Sequence, residues 1–358
     1  MRISSLTGLR GVAAVSVLLY HIPHQPAFEQ FAMPLFSRAY LAVDLFFILS
    51  GFVISYGYHD RVVKHLGTAS YVDFLINRMA RVWPLHFIVT LVFGLRILLN
   101  VSGNQSIELT PANVVSNLLM MQSWGWGTDP IAGNSWSVST EVAAYLLYPL
   151  IALLAFSRWA WLQAALCVGL LLLVATSGKG ASGPMDVNDS DSILTLLRCV
   201  AGFSLGVLTY RWKDLCRPLL DRSGAFAAIC GLIALALLLP GADVLVVCLM
   251  PALVLTCYYD RAAARAVMAN PLSFHLGLIS YSIYLWHPLV RDVAARTMSV
   301  AQRHGVIGYD WLFVVGMLLA TWLLCWVSYL LVEVRGHQLI KRLQRAGRSR
   351  RASVKAAA

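Results

Sequence analysis

The stretch LRGVAAVSVLLYH, residues 9–21, places a cation and a titratable imidazole at opposite ends of an apolar segment. Arg10 and His21 are eleven residues apart, close to three helical turns, so both side chains lie on one face of a helix. They are about 16 Å apart along the axis, close to half the thickness of a bilayer core. Ionisable groups at such depths are costly in lipid and usually face a protein interior or a pathway. The pair therefore predicts a site reached from one side of a membrane.

The composition of the whole chain is that of a membrane protein. Hydrophobic residues make up 59% of it and charged residues only 13%, about half the share found in globular proteins. We predict an all-α fold, a polytopic membrane helical bundle with about ten transmembrane helices. The spans are predicted at 9–24, 38–57, 82–100, 140–157, 159–176, 193–211, 223–239, 241–258, 273–291 and 311–334.

Lysine and arginine are concentrated in alternate connections and in the C-terminal tail, which predicts that both termini are cytoplasmic. We predict one transmembrane domain over 1–335 and a basic cytoplasmic tail over 336–358. The net charge of +11 indicates contact with anionic membrane lipids rather than with nucleic acid. The seven cysteines show no metal-ligand spacing, so no metal is predicted.

Three arginines are predicted on the cytoplasmic side of the bundle. Arg78 and Arg81 are one helical turn apart just before the third span, and Arg10 begins the first. Two guanidinium groups so placed suit a phosphate, which they bind through planar, bidentate donation. The alternative is a positive-inside cluster that faces only anionic lipid.

Near the outer side, a histidine and two carboxylates are predicted at matching depth. His21 ends the first span, Asp44 lies near the start of the second, and Glu141 begins the fourth. Such a set predicts a base with an orienting partner. Each residue also has a structural alternative. His21 would bind a helix carbonyl, Asp44 would neutralise Arg198, and Glu141 would serve the positive end of its helix dipole.

These residues lie in motifs that resemble, in order, those of the acyltransferase-3 family of integral membrane acyltransferases. The motifs are LTGLRG at 6–11 leading to His21, VDLFFILSGF at 43–52, Arg78-x-x-Arg81 before Pro84, WSVSTE at 136–141 and SYSIYLWH at 280–287. The resemblance covers nearly the whole chain. One departure concerns Glu333-Val334-Arg335, which lacks the proline of the family's Glu-x-Pro, so no role is predicted for Glu333.

The resemblance implies transfer of an acyl group, commonly acetyl, from cytoplasmic acyl-CoA to a hydroxyl of a glycan or glycolipid acceptor. It implies a bacterial inner-membrane protein, of the type that has no fused SGNH-type domain. We then expect the CoA phosphates at Arg78 and Arg81, with Arg10 along the path. His21 would act as a base or transient acyl carrier, oriented by Asp44 or Glu141.

Four further residues of these motifs are candidate contacts to an oxyanion or to the acceptor: Trp136, Ser137, Tyr281 and His287. The aromatic ones are as typical of a membrane-interface belt or a helical core. A rival interpretation of the whole chain is a transporter or flippase of a lipid-linked glycan or proton-coupled substrate, because intramembrane ionisable residues suit that function too.

Overall fold

The computed structural model describes residues 3–22, 36–64, 67–101, 107–178, 180, 182–187, 193–305, 308, 310–344 and 346. Over these residues the chain is helical and contains no β-strand, which confirms the predicted all-α class. The helices are α1 (Ser4–Tyr20), α2 (Ala42–His59), α3 (Thr68–Leu98), α4 (Pro111–Leu118), α5 (Trp136–Ala155), α6 (Ala160–Ser177), α7 (Ile193–Leu220), α8 (Ala225–Leu238), α9 (Asp243–Tyr259), α10 (Ala262–Met268), α11 (Pro271–Leu278), α12 (Ser280–Arg303) and α13 (Asp310–Ser328). A π-helical segment, Tyr329–Val334, continues α13 into helical residues 335–344.

Six of the described helical segments are long and apolar enough to cross a membrane. They are Ala39–Val63, Thr68–Leu98, Gly133–Ala155, Ala160–Ser177, Ile193–Leu220 and Trp311–Gln344. Counting α9 and α10, which meet at 97°, as one bent span gives seven. The predicted number of about ten is not confirmed. The helices α1 and α8 have only 17 and 14 residues, and the predicted span 273–291 is divided between α11 and α12.

The helices α2 and α7 cross in close backbone contact at glycines. Gly51 of α2 lies against the carbonyl of Phe203, and Gly206 of α7 lies against the carbonyl of Ile48. A Cβ atom at either glycine would overlap backbone atoms of the other helix. Small residues allow this approach, which is how membrane helices gain packing contacts when lipid is as apolar as they are.

The glycines of the LTGLRG stretch have a similar packing role. Gly8 lies against the carbonyl of Met268 in α10, and Gly11 lies against the backbone of Gly277 in α11. In turn, Gly277 lies against the backbone of Thr7. The first helix is therefore held against the short helices α10 and α11, and this contact sets the position from which Arg10 extends.

Two helical segments that meet at one end of the bundle are longer than a bilayer core is thick. They are α3, with 31 residues, and Trp311–Gln344, with 34, which at 1.5 Å per residue gives lengths of about 46 and 51 Å. A bilayer core is about 30 Å thick. Their extensions meet where the side-chain amide of Gln344 donates to Asp73 at 3.0 Å. We call this the basic end of the bundle, and the end where α1 finishes at His21 the histidine end.

The length of α3 corrects the predicted third span, which began only at residue 82. Arg78 and Arg81 lie within this helix rather than in a connection before it. Their surroundings are therefore set by helices packed alongside α3, not by a solvated loop.

Candidate active site

A cavity of about 420 Å³ opens at the histidine end and brings together side chains from α1, α5, α7 and α12. His21 and His287 both line it, and their ring centroids are 4.9 Å apart. Arg291 and Asp186 also line the cavity, and the Tyr20 hydroxyl donates to Asp186 at 3.0 Å. The site therefore offers two imidazoles beside both charged and hydroxyl groups, a suitable lining for a polar ligand.

His21 directly follows the last residue of α1 and is held by its own helix. Its Nδ1 lies 2.8 Å from the carbonyl oxygen of Val17, one turn back. Because a carbonyl only accepts, this hydrogen bond places a proton on Nδ1 and leaves Nε2 of the neutral ring as its basic nitrogen. The geometry suits a general base or a nucleophile, with a backbone carbonyl as the orienting group.

His287, a predicted candidate contact, is the imidazole that the structure places beside His21. Its Nδ1 lies 3.2 Å from the carbonyl oxygen of Ile283. Its Nε2 is buried and has no hydrogen-bond partner among the described residues. A buried polar atom without a partner is rare and indicates a role outside stability. Trp136 lines the same cavity.

The structure does not give His21 the carboxylate partner that the sequence predicted. The Asp44 carboxylate is buried and accepts from both Nε and Nη2 of Arg198, at 3.0 and 2.6 Å. Arg198 also donates to the carbonyl oxygens of Val187 and Tyr40. Because α2 turns Asp44 towards α7, its carboxylate is paired with Arg198, and the group bonded to His21 in the structure is the carbonyl of Val17.

Glu141 also lies in a different charged group from His21. It is one of the charges within electrostatic range of Arg10, together with Arg81 and Glu333. We call Arg10, Arg81, Glu141 and Glu333 the arginine–glutamate cluster. The charged side chains in range of His21 are instead Arg291 and Asp186. His21, Asp44 and Glu141 are thus not joined to one another by a hydrogen bond or ion pair among the described residues, and each has other charged neighbours.

Glu333 supplies the ion pair of this cluster. It is 3% exposed, accepts a hydrogen bond from Ser282 at 2.6 Å and pairs with Arg81 at 3.1 Å. The sequence left Glu333 without a role because its motif lacks a proline. Its position at the end of the last apolar run was the available signal, since a carboxylate there must find a partner or stay solvated.

Arg78 and Arg81 have different surroundings although they are one turn apart. Arg78 lies over the ring of Tyr58, with its guanidinium carbon 5.0 Å from the ring centroid, and donates to the Tyr58 hydroxyl at 3.3 Å. The Nε of Arg78 and that of Arg10 are buried without a partner among the described residues. These donors fit an anion, whereas the pairing of Arg81 with Glu333 occupies part of its charge.

The two remaining candidate hydroxyls already have protein partners. Ser137 donates to the Tyr284 hydroxyl at 2.7 Å, and Tyr284 lines the histidine cavity. Tyr281 donates to the carbonyl of Val82 in α3 at 2.8 Å. Tyr281 is thus directed to a neighbouring helix. Among the residues that the structure describes, no three His, Cys, Asp or Glu side chains are grouped to hold a metal ion.

Together the two clusters define an integral membrane helical protein with ionisable groups at two depths, connected by α1. Comparison with known proteins gives the family. The acyltransferase domain of the acyltransferase-3 family matches residues 3–333. The chain belongs to that family, as the ordered motifs indicated.

Several named proteins are similar to parts of the chain. Acyltransferase MdmB of Streptomyces mycarofaciens is 35% identical over 42% of this chain and 39% of its own length. Exopolysaccharide production protein ExoZ of Rhizobium meliloti (strain 1021) is 27% identical over 71% of this chain and 77% of its own. A putative O-acetyltransferase of Staphylococcus aureus (strain COL) is 22% identical over 80% of this chain and 50% of its own length.

The chain covers half or less of the first and last of these relatives. No solved structure matches it. The family and these names support acyltransferase activity in a membrane protein with several apolar helices.

Proposed function

We propose that this chain is a membrane O-acyltransferase that moves an acyl group, acetyl in the first instance, from cytoplasmic acyl-CoA to a hydroxyl of a glycan or glycolipid. The observation that carries the proposal is the pair of imidazoles in a polar cavity at the end of α1. The names of the O-acetyltransferase and exopolysaccharide relatives support acetyl as the group and a polysaccharide as the acceptor. They give no support to the transporter alternative.

The chemistry assigned to His21 follows from its tautomer. With Nδ1–H donating to Val17, Nε2 can take the proton of the acceptor hydroxyl as that oxygen attacks the thioester carbonyl. The oxygen–carbon bond forms, the carbon–sulfur bond breaks, and the thiolate leaves and is protonated. In the alternative route, Nε2 attacks first and carries the acyl group to the hydroxyl. Both routes need the same nitrogen directed into the cavity.

The donor is assigned to the part of the bundle around Arg10, about three helical turns before His21. Acyl-CoA supplies the acyl group as a thioester. Arg78 would bind its phosphates, since this side chain has a buried, unpaired Nε, while Arg10 and Arg81 of the arginine–glutamate cluster would line the path. The distance from Arg10 to His21 along α1 is about 16 Å at 1.5 Å per residue. In this proposal the basic end and both termini are cytoplasmic, in a bacterial inner membrane.

The test is release of CoA from acetyl-CoA by the purified protein in nanodiscs, with a cell-envelope glycan extract as acceptor. We expect His21→Ala to lower the rate about 10²–10⁴-fold, the usual contribution of general-base catalysis. His304→Ala is the matched control, since this exposed histidine follows α12 outside the cavity, and it should retain the rate. Equal rates in His21→Ala and the native protein would reject the proposal, as would release that does not require the extract.

A further inference from the structure

A second and larger cavity lies at the basic end. Its volume is about 780 Å³, within the range of small-molecule sites. Three segments form it: the end of α2 with Tyr58 and the adjoining Arg61, the beginning of α3 with Asn77, and helical residues 337–344. The cavity lies between α3 and the last helical stretch, which contact each other at this end of the bundle.

The contacts between these extensions define the walls of the cavity. The ammonium group of Lys341 donates to the side-chain oxygen of Asn77, and the amide of Gln344 donates to Asp73 at 3.0 Å. Closer to the membrane, Gly336 lies against the ring of Pro84, where a Cβ atom would crowd it. The last helical segment is therefore packed on α3 and forms one wall of a built cavity.

Cations predominate in the lining. Arg61, Lys341 and Arg342 contribute three positive charges, against one carboxylate, Asp73, which accepts from Gln344. Arg61 and Arg342 are exposed and have no ion pair among the described residues. They come from different segments on the cavity wall. The Nδ1 of His337, also in the lining, is buried without a hydrogen-bond partner in the described part of the chain. Such a lining fits a phosphorylated ligand.

The cavity is continuous with the residues already assigned to the donor. Tyr58 lines it and also contacts the Arg78 guanidinium. One turn further along α3, Arg81 belongs to the arginine–glutamate cluster, which includes Arg10 in the second turn of α1. A ligand with its charged end among Arg61 and Arg342 would thus have its other end directed towards α1 and His21.

We propose that this cavity binds the phosphorylated nucleotide end of the donor, with Arg61 and Arg342 as phosphate contacts in addition to Arg78 and residues 337–344 as part of the donor site. The proposal rests on the proposed function, because it assumes acyl-CoA as donor. Phosphate chemistry is shared with anionic lipid headgroups. The nucleotide is favoured because the cations line a cavity of about 780 Å³ that adjoins Arg78 through Tyr58.

The test measures binding without turnover, using adenosine 3′,5′-bisphosphate as the probe, because it carries nucleotide phosphates but no thioester. Titration calorimetry is performed on the protein in nanodiscs of phosphatidylcholine alone. We expect Arg61→Gln/Arg342→Gln to raise the Kd about tenfold or more, since two charge-assisted contacts are lost. Arg158→Gln/Arg335→Gln is the matched control; it removes two exposed cations outside the lining and should leave the Kd unchanged.

A parallel measurement separates this proposal from the proposed function. In an assay of released thiol, the Arg61→Gln/Arg342→Gln variant should have a higher KM for acetyl-CoA. Its rate with S-acetyl-pantetheine, which has no nucleotide and releases pantetheine, should be unchanged. If the probe binds in a way that depends on the two arginines but no acyl transfer occurs, the binding proposal for the cavity stands and the proposed function is rejected. If the variant carries out acyl transfer with unchanged Kd and KM, the proposed function stands and the binding proposal for the cavity is rejected. The third outcome is that the probe does not bind, while the protein retains phosphatidylglycerol only when both arginines are present. That result would identify the cavity as a lipid site and overturn the proposal.

Discussion

At the scale of single residues, Asp44 shows why depth along a helix does not identify a partner. The spacing of polar residues placed Asp44 level with His21, and it also allowed the pairing with Arg198. The structure has the second arrangement, a bidentate pair that is almost fully buried. Sequence gives depth through the rise per residue. Which neighbour a side chain meets depends on how the helix is rotated in the bundle, and that is set by packing.

The Asp44–Arg198 pair leads to a stability prediction. Asp44→Leu should lower the free energy of unfolding by about 3–5 kcal/mol, because it leaves a buried guanidinium without its counter-charge. The double variant Asp44→Leu/Arg198→Met should recover much of this loss, since replacing a whole buried pair by apolar residues is often neutral. Thermal unfolding in detergent, followed by tryptophan fluorescence, measures both.

Two results would contradict this structural role for the pair. One is a single variant as stable as the native protein. The other is additive losses in the single and double variants, which would mean that Asp44 and Arg198 do not interact.

The sequence predicted that Arg10 and His21 belong to one helical segment. In the structure Arg10 lies in the second turn of α1, and His21 directly follows its last residue, Tyr20. Glu141 and Glu333 could not be placed in this way. Their neighbours come from helices far away in the chain, as the 3.1 Å pair of Arg81 with Glu333 shows.

At the scale of helices, close backbone contacts explain the glycines of the LTGLRG motif, which could otherwise be assigned a role in catalysis. Gly8 and Gly11 of LTGLRG are occupied by contacts with α10 and α11. The sequence predicted the existence of most apolar segments, but not that 271–303 is divided at Ile279 or that α3 has 31 residues. Where a helix breaks or continues depends on the neighbouring helices that it packs against, and hydropathy carries no information about these neighbours.

The crossing of α2 and α7 offers a direct comparison of two glycines. Gly206→Ala should lower the free energy of unfolding by about 1–3 kcal/mol, because the added methyl would overlap the backbone at Ile48. Gly169→Ala is the control, since nothing lies within 4 Å of the position of its Cβ atom. Removing a helix glycine there should be neutral or stabilise by about 0.5–1 kcal/mol.

The measurement for this comparison is the unfolding midpoint of each variant in the same detergent. Equal midpoints for the two alanine variants would mean that α2 and α7 separate easily, contrary to the close crossing.

At the scale of the whole molecule, the charge asymmetry and the two cavities predict one orientation. The basic cavity, with Arg61 and Arg342, lies at the end predicted to be cytoplasmic, and the histidine cavity lies at the other. Membrane proteins retain Lys and Arg on the cytoplasmic side, so the donor and acceptor sites should open to opposite compartments.

Full-length fusions test this orientation in cells. Green fluorescent protein at the C-terminus should be fluorescent, and alkaline phosphatase at the same place should be inactive, because each reports the compartment of the terminus. An epitope inserted between Gly305 and Gly308 should be reached by antibody only from the outer side, once the outer membrane is opened. Phosphatase activity at the C-terminus would mean that the protein has the opposite orientation, and it would contradict the proposal of a cytoplasmic donor.

The pairing of Asp44 with Arg198 also has a consequence for biogenesis. The two residues are 154 positions apart, so the carboxylate leaves the ribosome well before its counter-charge. At a synthesis rate of about 5–20 residues per second, the interval is roughly 8–30 s. During that time the nascent chain carries an uncompensated acidic group in an inserting segment, which is costly in the bilayer until Arg198 arrives. The yield of mature protein should therefore depend on translation speed between codons 44 and 198.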